Sequence, residues 1–164
     1  MRPALVVLAA LAVTVAAQSA TRAPIRLDGT ATIRSVELAS DCIRADAADA
    51  KVVECAGAGS YAGKAGRGAA TYTWHWHLFH GGEVPQTAHG DEDAIAVLRL
   101  GTRGTLRLTL RGEKAAGASV GTWRFTSGTK QFARRTGSGR YRFETTSGAN
   151  GFRSARLVLR GTLR

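Results

Sequence analysis

Two histidines separated by one residue are the most direct candidate for chemistry in this sequence. His75 and His77 lie in segment 70–79, where polar and aromatic residues alternate. Residues at this spacing on a strand face the same side, so both imidazoles could bind one metal ion. The opposite face of the segment is the more apolar one, and histidines on the outer face of a barrel are ordinary surface residues. The pair is therefore only a candidate metal site, and no cofactor is predicted.

The polar segment that follows, 80–93, is predicted to be a loop. It contains His80, His89 and the acidic run 91–93, which would add ligands to a metal site at the histidine pair. An acidic run in a loop is more often solvated than catalytic. The chain has no nucleophile-elbow pattern of a serine hydrolase and gives little support to a paired-carboxylate glycosidase. No catalytic residues are predicted, and enzymatic activity stays open.

Aromatic residues on the apolar faces of the predicted strands are the candidate ligand contacts. They are Tyr72, Trp74, Trp76, Trp123, Phe125, Tyr141 and Phe143. A barrel of about eight strands either fills its interior with such side chains or encloses one small ligand. Filling is the default expectation, and a cavity for a small apolar molecule is the functional alternative.

The elements that must position these residues are strands, because the apolar residues alternate with polar ones from residue 27 onward. Strands are predicted at 31–38, 51–56, 70–79, 94–100, 105–111, 120–126, 140–146 and 155–163. Segment 41–49 is predicted to be a loop or one helical turn, and 114–119 a linker. The pattern predicts an all-β domain, an antiparallel barrel of about eight strands.

A repeated phrase indicates that the barrel is built from two similar halves. Segment 61–68 recurs as 132–139, each with an aromatic residue, an alanine, a basic residue and two glycines spaced by one. Glycine tolerates positive φ and allows a tight corner where a chain leaves one strand and enters the next. The predicted corner residues are Gly57, Tyr61, Gly66, Gly68, Gly128, Phe132, Gly137 and Gly139. The two aromatic residues are expected to fold inward and cover an open end of the sheet.

Segment 121–163 resembles the second half of the allene oxide cyclase and dirigent-like barrels, especially their small secreted bacterial members. The matching residues are Ser127-Gly128-Thr129, Phe132-Ala133, Gly137-Ser138-Gly139, Tyr141 and Leu159-Arg160-Gly161-Thr162-Leu163. The chain departs from the family pattern at Lys130, Arg134 and Arg135, where small residues are usual. The resemblance implies an eight-stranded antiparallel barrel with an apolar interior, and it assigns no catalytic residue to any position here.

The start of the chain has the pattern of an export signal. A positively charged start is followed by an apolar run over 5–16 and small residues near 17–19, the order of a secretory signal peptide. We therefore expect a signal peptide at 1–19, a tether at 20–26 and a single barrel domain at 27–164, exported to the periplasm or the cell exterior. Two cysteines in an oxidising compartment predict one disulfide, Cys42–Cys55.

The charge of the chain is strongly positive and unevenly distributed. The net charge is +11, and residues 94–164 carry fifteen Lys or Arg against two Asp or Glu. A basic half of this kind is typical of polyanion-binding proteins, although arginines scattered over strand exteriors are usually a solvated face. The candidate polyanion-binding residues are Arg107, Arg111, Arg140, Arg142, Arg156 and Arg160.

Three functions are compatible with these patterns. The first is a secreted barrel that binds a small apolar molecule or acts as an accessory surface protein without catalysis. The second is a cyclase- or dirigent-type enzyme that steers a reactive apolar intermediate by shape. The third is a module that binds a polyanion through its basic C-terminal half. The sequence predicts no transmembrane segment and does not fix an oligomeric state.

Overall fold

The computed structural model of the chain describes residues 22–34, 43–47, 50–80, 89–115, 117–148 and 151–164. Within these ranges the positions of the side chains are described for all residues except 43–47, 50–53, 78–80, 146–148 and 151–153. The predictions for residues 1–21 and for Cys42 concern residues outside the described ranges.

The described chain is built from strands and two short 3₁₀ turns. The strands are β1 (Ile25–Arg26), β2 (Gly29–Arg34), β3 (Ile43–Ala47), β4 (Ala50–Gly63), β5 (Gly66–His80), β6 (His89–Arg99), β7 (Thr105–Ala115), β8 (Ala118–Gly128), β9 (Gly137–Gly148) and β10 (Gly151–Leu163). The 3₁₀ turns span Gly101–Arg103 and Lys130–Phe132. In the described part of the chain, no helix is long and apolar enough to cross a membrane.

The strands form a closed, eight-stranded antiparallel barrel with one extra strand, which confirms the predicted fold class. From β4 to β10 each barrel strand pairs with its neighbour in the chain. The last strand, β10, also pairs with β2 through Ala155 to Leu159, and this pairing closes the barrel. β1 lies beside the end of β10, so the sheet reaches two residues into the expected tether. The extra strand, β3, pairs with β4 beyond the end of β2.

Three connections predicted from the sequence are wrong because polar residues occupy strand positions. Part of segment 41–49 is the strand β3, neither a loop nor a helical turn. The predicted loop 80–93 is too long, because β6 begins at His89. Residues 114–115 and 118–119 of the predicted linker belong to β7 and β8, which pair in register up to Ala115 opposite Ala118. In each case the hydrogen-bonded ladder continues past the point where apolar alternation stops.

Alternation along each strand divides its residues between the barrel interior and the solvent. In β6 the even-numbered residues from 90 to 98 are buried, and in β7 the same holds for Leu106, Leu108 and Leu110. The interior-facing side chains form one continuous apolar core. Burial of this kind stabilises the fold by about 25 cal/mol for each Å² of apolar surface removed from water.

One end of the barrel is closed by an apolar plug. We call it the basic end and define it by the connecting segments 22–28, 64–65, 100–104 and 129–136 together with residue 164. The side chains that plug it are almost completely buried, and they are Leu27, Tyr61, Ala65, Leu100, Phe132 and Leu163. The interior is therefore shut off from solvent at this end.

Both glycine phrases lie at the basic end, but their backbones differ. The first phrase is the tight β4–β5 hairpin, in which Gly63 pairs with Gly66 and Gly66 has a φ of +134°. The second begins in the 3₁₀ turn at Phe132 and leads into β9. Tyr61 and Phe132 both point into the plug, as predicted for an aromatic cover. The duplication of two halves stays a prediction.

The other predicted corner glycines occupy strand ends and one strand interior. Gly57 lies within β4, Gly68 near the start of β5, Gly128 at the end of β8, and Gly137 and Gly139 at the start of β9. Gly139 shows why a side chain is excluded at such a position. A Cβ atom there would lie 2.6 Å from the indole of Trp123. This glycine therefore makes room for a buried tryptophan.

Replacing Phe132 by alanine is expected to lower the free energy of unfolding by about 3–5 kcal/mol, because a fully buried ring of the plug is lost. Urea unfolding followed by far-UV circular dichroism measures the change. Val120→Ala is the control, since this side chain is 48% exposed on the barrel wall. A loss in Phe132→Ala no larger than that in the control would contradict the plug.

Candidate functional site

Polar side chains extend the inward-facing rows of three neighbouring strands at the end of the barrel opposite the basic end. Glu92 in β6, Lys114 in β7 and Ser119 in β8 are 1%, 2% and 0% exposed, and they are the buried polar or charged residues of the described chain. Each follows the same alternation as the apolar residues further along its strand. We call these residues and their buried contacts the Glu92 cluster: Tyr72, Trp76, Glu92, Lys114, Ser119 and Tyr141.

Four side chains donate hydrogen bonds to the Glu92 carboxylate. The hydroxyls of Tyr72 and Tyr141 donate to Oε1 over 2.7 and 3.0 Å. The indole N–H of Trp76 and the hydroxyl of Ser119 donate to Oε2 over 2.5 and 2.6 Å. Burying a carboxylate is costly unless its oxygens are hydrogen-bonded, and here each oxygen accepts two bonds.

Two glycines allow Tyr141 to reach Glu92 from three strands away. Glu92 pairs with Gly112, Gly112 with Gly121, and Gly121 with Tyr141, so both glycines lie between donor and acceptor. A Cβ atom at Gly112 would lie 2.6 Å from the Tyr141 hydroxyl oxygen. The absence of side chains on β7 and β8 at this level therefore permits the longest-range hydrogen bond of the cluster.

Lys114 places an ammonium group in the same buried cluster. Its Nζ lies 5.2 Å from the centre of the Trp76 ring, a distance suited to a cation–π interaction. Within the described part of the chain, this Nζ has no hydrogen-bond acceptor. Loss of solvent lowers the pKa of Lys114, and the nearby negative charge of Glu92 opposes that shift. The cluster therefore contains an ammonium group with three N–H donors that have no hydrogen-bond acceptor among the described residues.

The aromatic residues predicted to face the interior do so. Tyr72, Trp74, Trp76, Trp123, Tyr141 and Phe143 are at most 3% exposed, and Phe125 is partly buried against the same core. Tyr72 and Trp74 stack with ring centres 5.4 Å apart, and Phe143 lies 4.5 Å from Tyr72 and 5.0 Å from Trp74. The indole N–H of Trp74 is buried without an acceptor among the described residues. These rings fill much of the interior beside the Glu92 cluster.

All three tyrosines of the chain are held in their neutral form. Burial and the negative charge of Glu92 raise the pKa of Tyr72 and Tyr141 well above the usual value of 10.0. Burial, with a smaller contribution from Asp28, raises the pKa of Tyr61 to about 12. A neutral phenol is a hydrogen-bond donor, so the raised pKa values of Tyr72 and Tyr141 preserve their bonds to the carboxylate.

The histidine pair lies on the outer wall of the barrel. His75 and His77 alternate with the buried Trp74 and Trp76, and Nε2 of His75 lies 3.3 Å from a carboxylate oxygen of Glu54. His75 also lines a depression of about 590 Å³ on the outside of β5 to β8. In the described ranges, no three His, Cys, Asp or Glu residues are grouped to hold a metal ion. The metal site stays an untested candidate.

The acidic run 91–93 behaves differently from the solvated loop that was predicted. Asp91 and Asp93 are exposed on the outer face of β6, and Asp93 pairs with Arg111 over 3.0 Å. Glu92, between them, points inward. The reading of Glu92 as a solvated loop residue is wrong because strand alternation turns every second side chain into the barrel.

The remaining predicted residues occupy separate parts of the wall and core. The arginines at 107, 111, 140, 142, 156 and 160 are exposed on the outside of β7, β9 and β10. Arg140 and Arg160 are directly opposite each other, while Arg142 pairs with Glu144. Cys55 is buried in β4, and its pairing with Cys42 stays a prediction because Cys42 lies outside the described residues.

Sequence reasoning missed Lys114 and Ser119, and it considered Glu92 only as a loop residue that could add a metal ligand. The alternation contains a signal for two of these residues. Glu92 is two positions before Ala94, and Lys114 is four positions after Leu110, so both lie on the inward rows of their strands. Polar residues on an inward row mark either a strand end or a buried site. The sequence does not distinguish these two cases, because it does not show how far the ladder extends.

No protein-family model matches the chain, and no curated protein matches it either. The likeness to the allene oxide cyclase and dirigent-like barrels therefore stays a prediction from sequence motifs.

Replacing Glu92 by alanine is expected to lower the free energy of unfolding by about 3–5 kcal/mol, because four buried donors lose their acceptor and the Lys114 ammonium loses the nearby negative charge. Urea unfolding provides the measurement. Asp93→Ala, the next residue on the outer face, is the matched control, and its exposed pair with Arg111 predicts a loss of at most about 1 kcal/mol. Equal losses in the two variants would show that Glu92 is not a buried anchor.

No tyrosine of the folded protein is expected to ionise with an ordinary pKa near 10.0. A pKa raised by folding adds stability that is complete below the unfolded-state value and is lost as the pH rises through the folded-state value. Tyrosinate absorbance should therefore appear above pH 10 and, for Tyr72 and Tyr141, only as the barrel unfolds. Ultraviolet difference spectra and circular dichroism recorded on the same samples test this. Ionisation of one tyrosine at pH 10 with the fold intact would contradict it.

Proposed function

We propose that this protein is an exported β-barrel that binds one small, largely apolar molecule carrying a hydrogen-bond acceptor, and that the Glu92 cluster marks the binding site. The observation that carries the proposal is a pair of buried donors without acceptors in the described chain, Nζ of Lys114 and the indole N–H of Trp74. Export rests on the leader-like segment 1–19 and stays a prediction, as does the Cys42–Cys55 disulfide.

The two donors contrast with the donors that surround Glu92, because Tyr72, Trp76, Ser119 and Tyr141 each bond to an oxygen of that carboxylate. Two other buried groups without a partner, the Tyr61 hydroxyl and the Gln131 side-chain amide, do not belong to the Glu92 cluster. A buried donor without an acceptor costs about 1–3 kcal/mol, and more when it is charged. A ligand oxygen placed on Lys114 would remove this cost, which favours a ligand that bears a carbonyl, carboxylate or sulfonate group.

The position of the cluster also favours binding. The apolar plug closes the basic end, whereas Glu92, Lys114 and Ser119 lie near the opposite ends of their strands. Apolar walls with a few convergent polar groups are the usual composition of small-molecule sites. The aromatic rings of Tyr72, Trp74 and Phe143 supply such a wall.

Binding without catalysis agrees better with the hydrogen bonds of Glu92 than acid–base chemistry does. Both carboxylate oxygens already accept two hydrogen bonds, so a general base at this position would first have to break one of them. The cyclase- or dirigent-type reaction suggested by the sequence resemblance depends on the shape of the barrel interior more than on a general base. The hydrogen bonds of Glu92 do not bear on such a reaction, and the buried donors of Lys114 and Trp74 favour binding over it.

Two related fluorescent probes test the proposal. Anilinonaphthalene sulfonate carries a sulfonate, and N-phenylnaphthylamine has the same aromatic frame without one. The three tryptophans, all buried in the interior, report binding by quenching or energy transfer. We expect the wild-type protein to bind the sulfonate probe about tenfold more tightly, since a charge-assisted hydrogen bond contributes about 1.5–3 kcal/mol. Lys114→Met should abolish this preference.

Lys64→Met is the matched control, because Lys64 is an exposed lysine at the basic end, 3.7 Å from Asp28. It should keep the preference for the sulfonate probe. Circular dichroism establishes that both variants are folded, and native mass spectrometry of the purified protein checks for a retained small molecule. Failure of both probes to bind, together with the absence of a retained molecule, would overturn the proposal.

A further inference from the structure

The basic end carries a concentration of positive charge that the proposed ligand site does not use. Its connecting segments contain eight lysine or arginine residues and one carboxylate side chain, Asp28. Asp28 lies 3.9 Å from Arg26 and 3.7 Å from Lys64, so it is shared by two cations. The other cations of this end have no acidic partner among the described residues.

Four of these arginines belong to one recess at the basic end. The recess has a volume of about 390 Å³ and is lined by Arg22, Pro24, Arg134, Arg135 and Arg164. None of the four guanidinium groups forms an ion pair with a carboxylate in the described chain. Like charges gathered in a recess repel one another, so an anion placed between them would be stabilised.

Reciprocal hydrogen bonds fix the three segments that supply the arginines. Nη1 of Arg22 donates to the carbonyl of Ala133 over 3.1 Å, and Nη1 of Arg135 donates to the carbonyl of Ala23 over 2.7 Å. The backbones of Thr136 and Arg164 exchange two further bonds of 3.0 and 2.7 Å. The chain therefore assembles the positive charges in a defined geometry and does not leave them on independent loops.

Backbone strain is concentrated in the same connection. Lys130 and Arg134, with φ values of +53° and +58°, are the non-glycine residues of the described chain with positive φ. This conformation is unfavourable for residues other than glycine and is retained mainly where the surrounding structure requires it. At Arg134 it occurs in a residue that lines the recess, where glycine would avoid the cost.

We propose that this recess is a binding site for a tetrahedral oxyanion, a phosphate or sulfate group. Four guanidinium groups offer more donors than a single carboxylate can accept, whereas three oxygens of a phosphate group can bind several arginines at once. The site lies at the opposite end of the barrel from Lys114 and is independent of the proposed apolar ligand. The phosphate group belongs either to a soluble molecule or to a lipid headgroup.

Titration calorimetry with inorganic phosphate, at constant ionic strength maintained with chloride, tests the proposal on the full chain. The double variant Arg134→Gln/Arg164→Gln removes two recess arginines for which no side-chain hydrogen bond is found in the described chain. Arg140→Gln/Arg160→Gln removes the same charge from a directly opposed pair on the barrel wall. We expect phosphate affinity to fall about tenfold or more in the recess variant, from the loss of charge-assisted hydrogen bonds, and less than twofold in the wall variant.

Vesicles distinguish the two sources of phosphate. Sedimentation with phosphatidylcholine vesicles that contain phosphatidic acid reports headgroup binding, and pure phosphatidylcholine vesicles are the control. Binding to vesicles but not to free phosphate would assign a lipid headgroup. Binding of free phosphate in the calorimeter would assign a soluble ligand. Either assignment requires that the recess variant weakens the binding observed. Equal weakening in both variants, or binding to neither probe, would overturn the site. The sulfonate preference at Lys114 should be unchanged in the recess variant, so the two proposals fail separately.

Discussion

Closure of the sheet is the constraint on which the rest of this structure depends. The pairing of β10 with β2 joins the last barrel strand to the first and leaves the barrel without a free edge. Once the barrel is closed, every second side chain of eight strands lies in one shared interior. The aromatic rings, the apolar plug and the Glu92 cluster are all consequences of which residues occupy those inward positions.

The interior changes in character along the barrel axis. At the basic end it consists of apolar side chains such as Leu27 and Phe132, which exclude water. Toward the other end the same inward rows carry Glu92, Lys114 and Ser119, and the hydrogen bonds among buried groups hold this part together. Four donors that converge on one carboxylate specify the local geometry closely, since a shift of one strand would leave several of them without an acceptor. A site for a small molecule benefits from such rigidity.

Positive charge on the outside of the barrel gathers at the basic end. Arg134 and Arg164 line one recess there without an acidic partner in the described chain. On the wall, Asp93 and Glu144 each pair with a nearby arginine, while Arg140 and Arg160 lie opposite each other. A protein of this form presents an apolar interior and a basic end as two chemically distinct surfaces.

The sequence by itself determined the eight barrel strands, the all-β class and the inward direction of Tyr72, Trp76 and Tyr141, because alternation of apolar and polar residues is a local property of the chain. It did not determine the Glu92 cluster. Glu92 and Tyr141 are separated by 49 residues and meet only through the register of four strands with glycine at two intervening positions. Convergence of this kind depends on sheet closure and pairing register, which no local pattern encodes, so the tertiary structure alone decided which polar residues share a site.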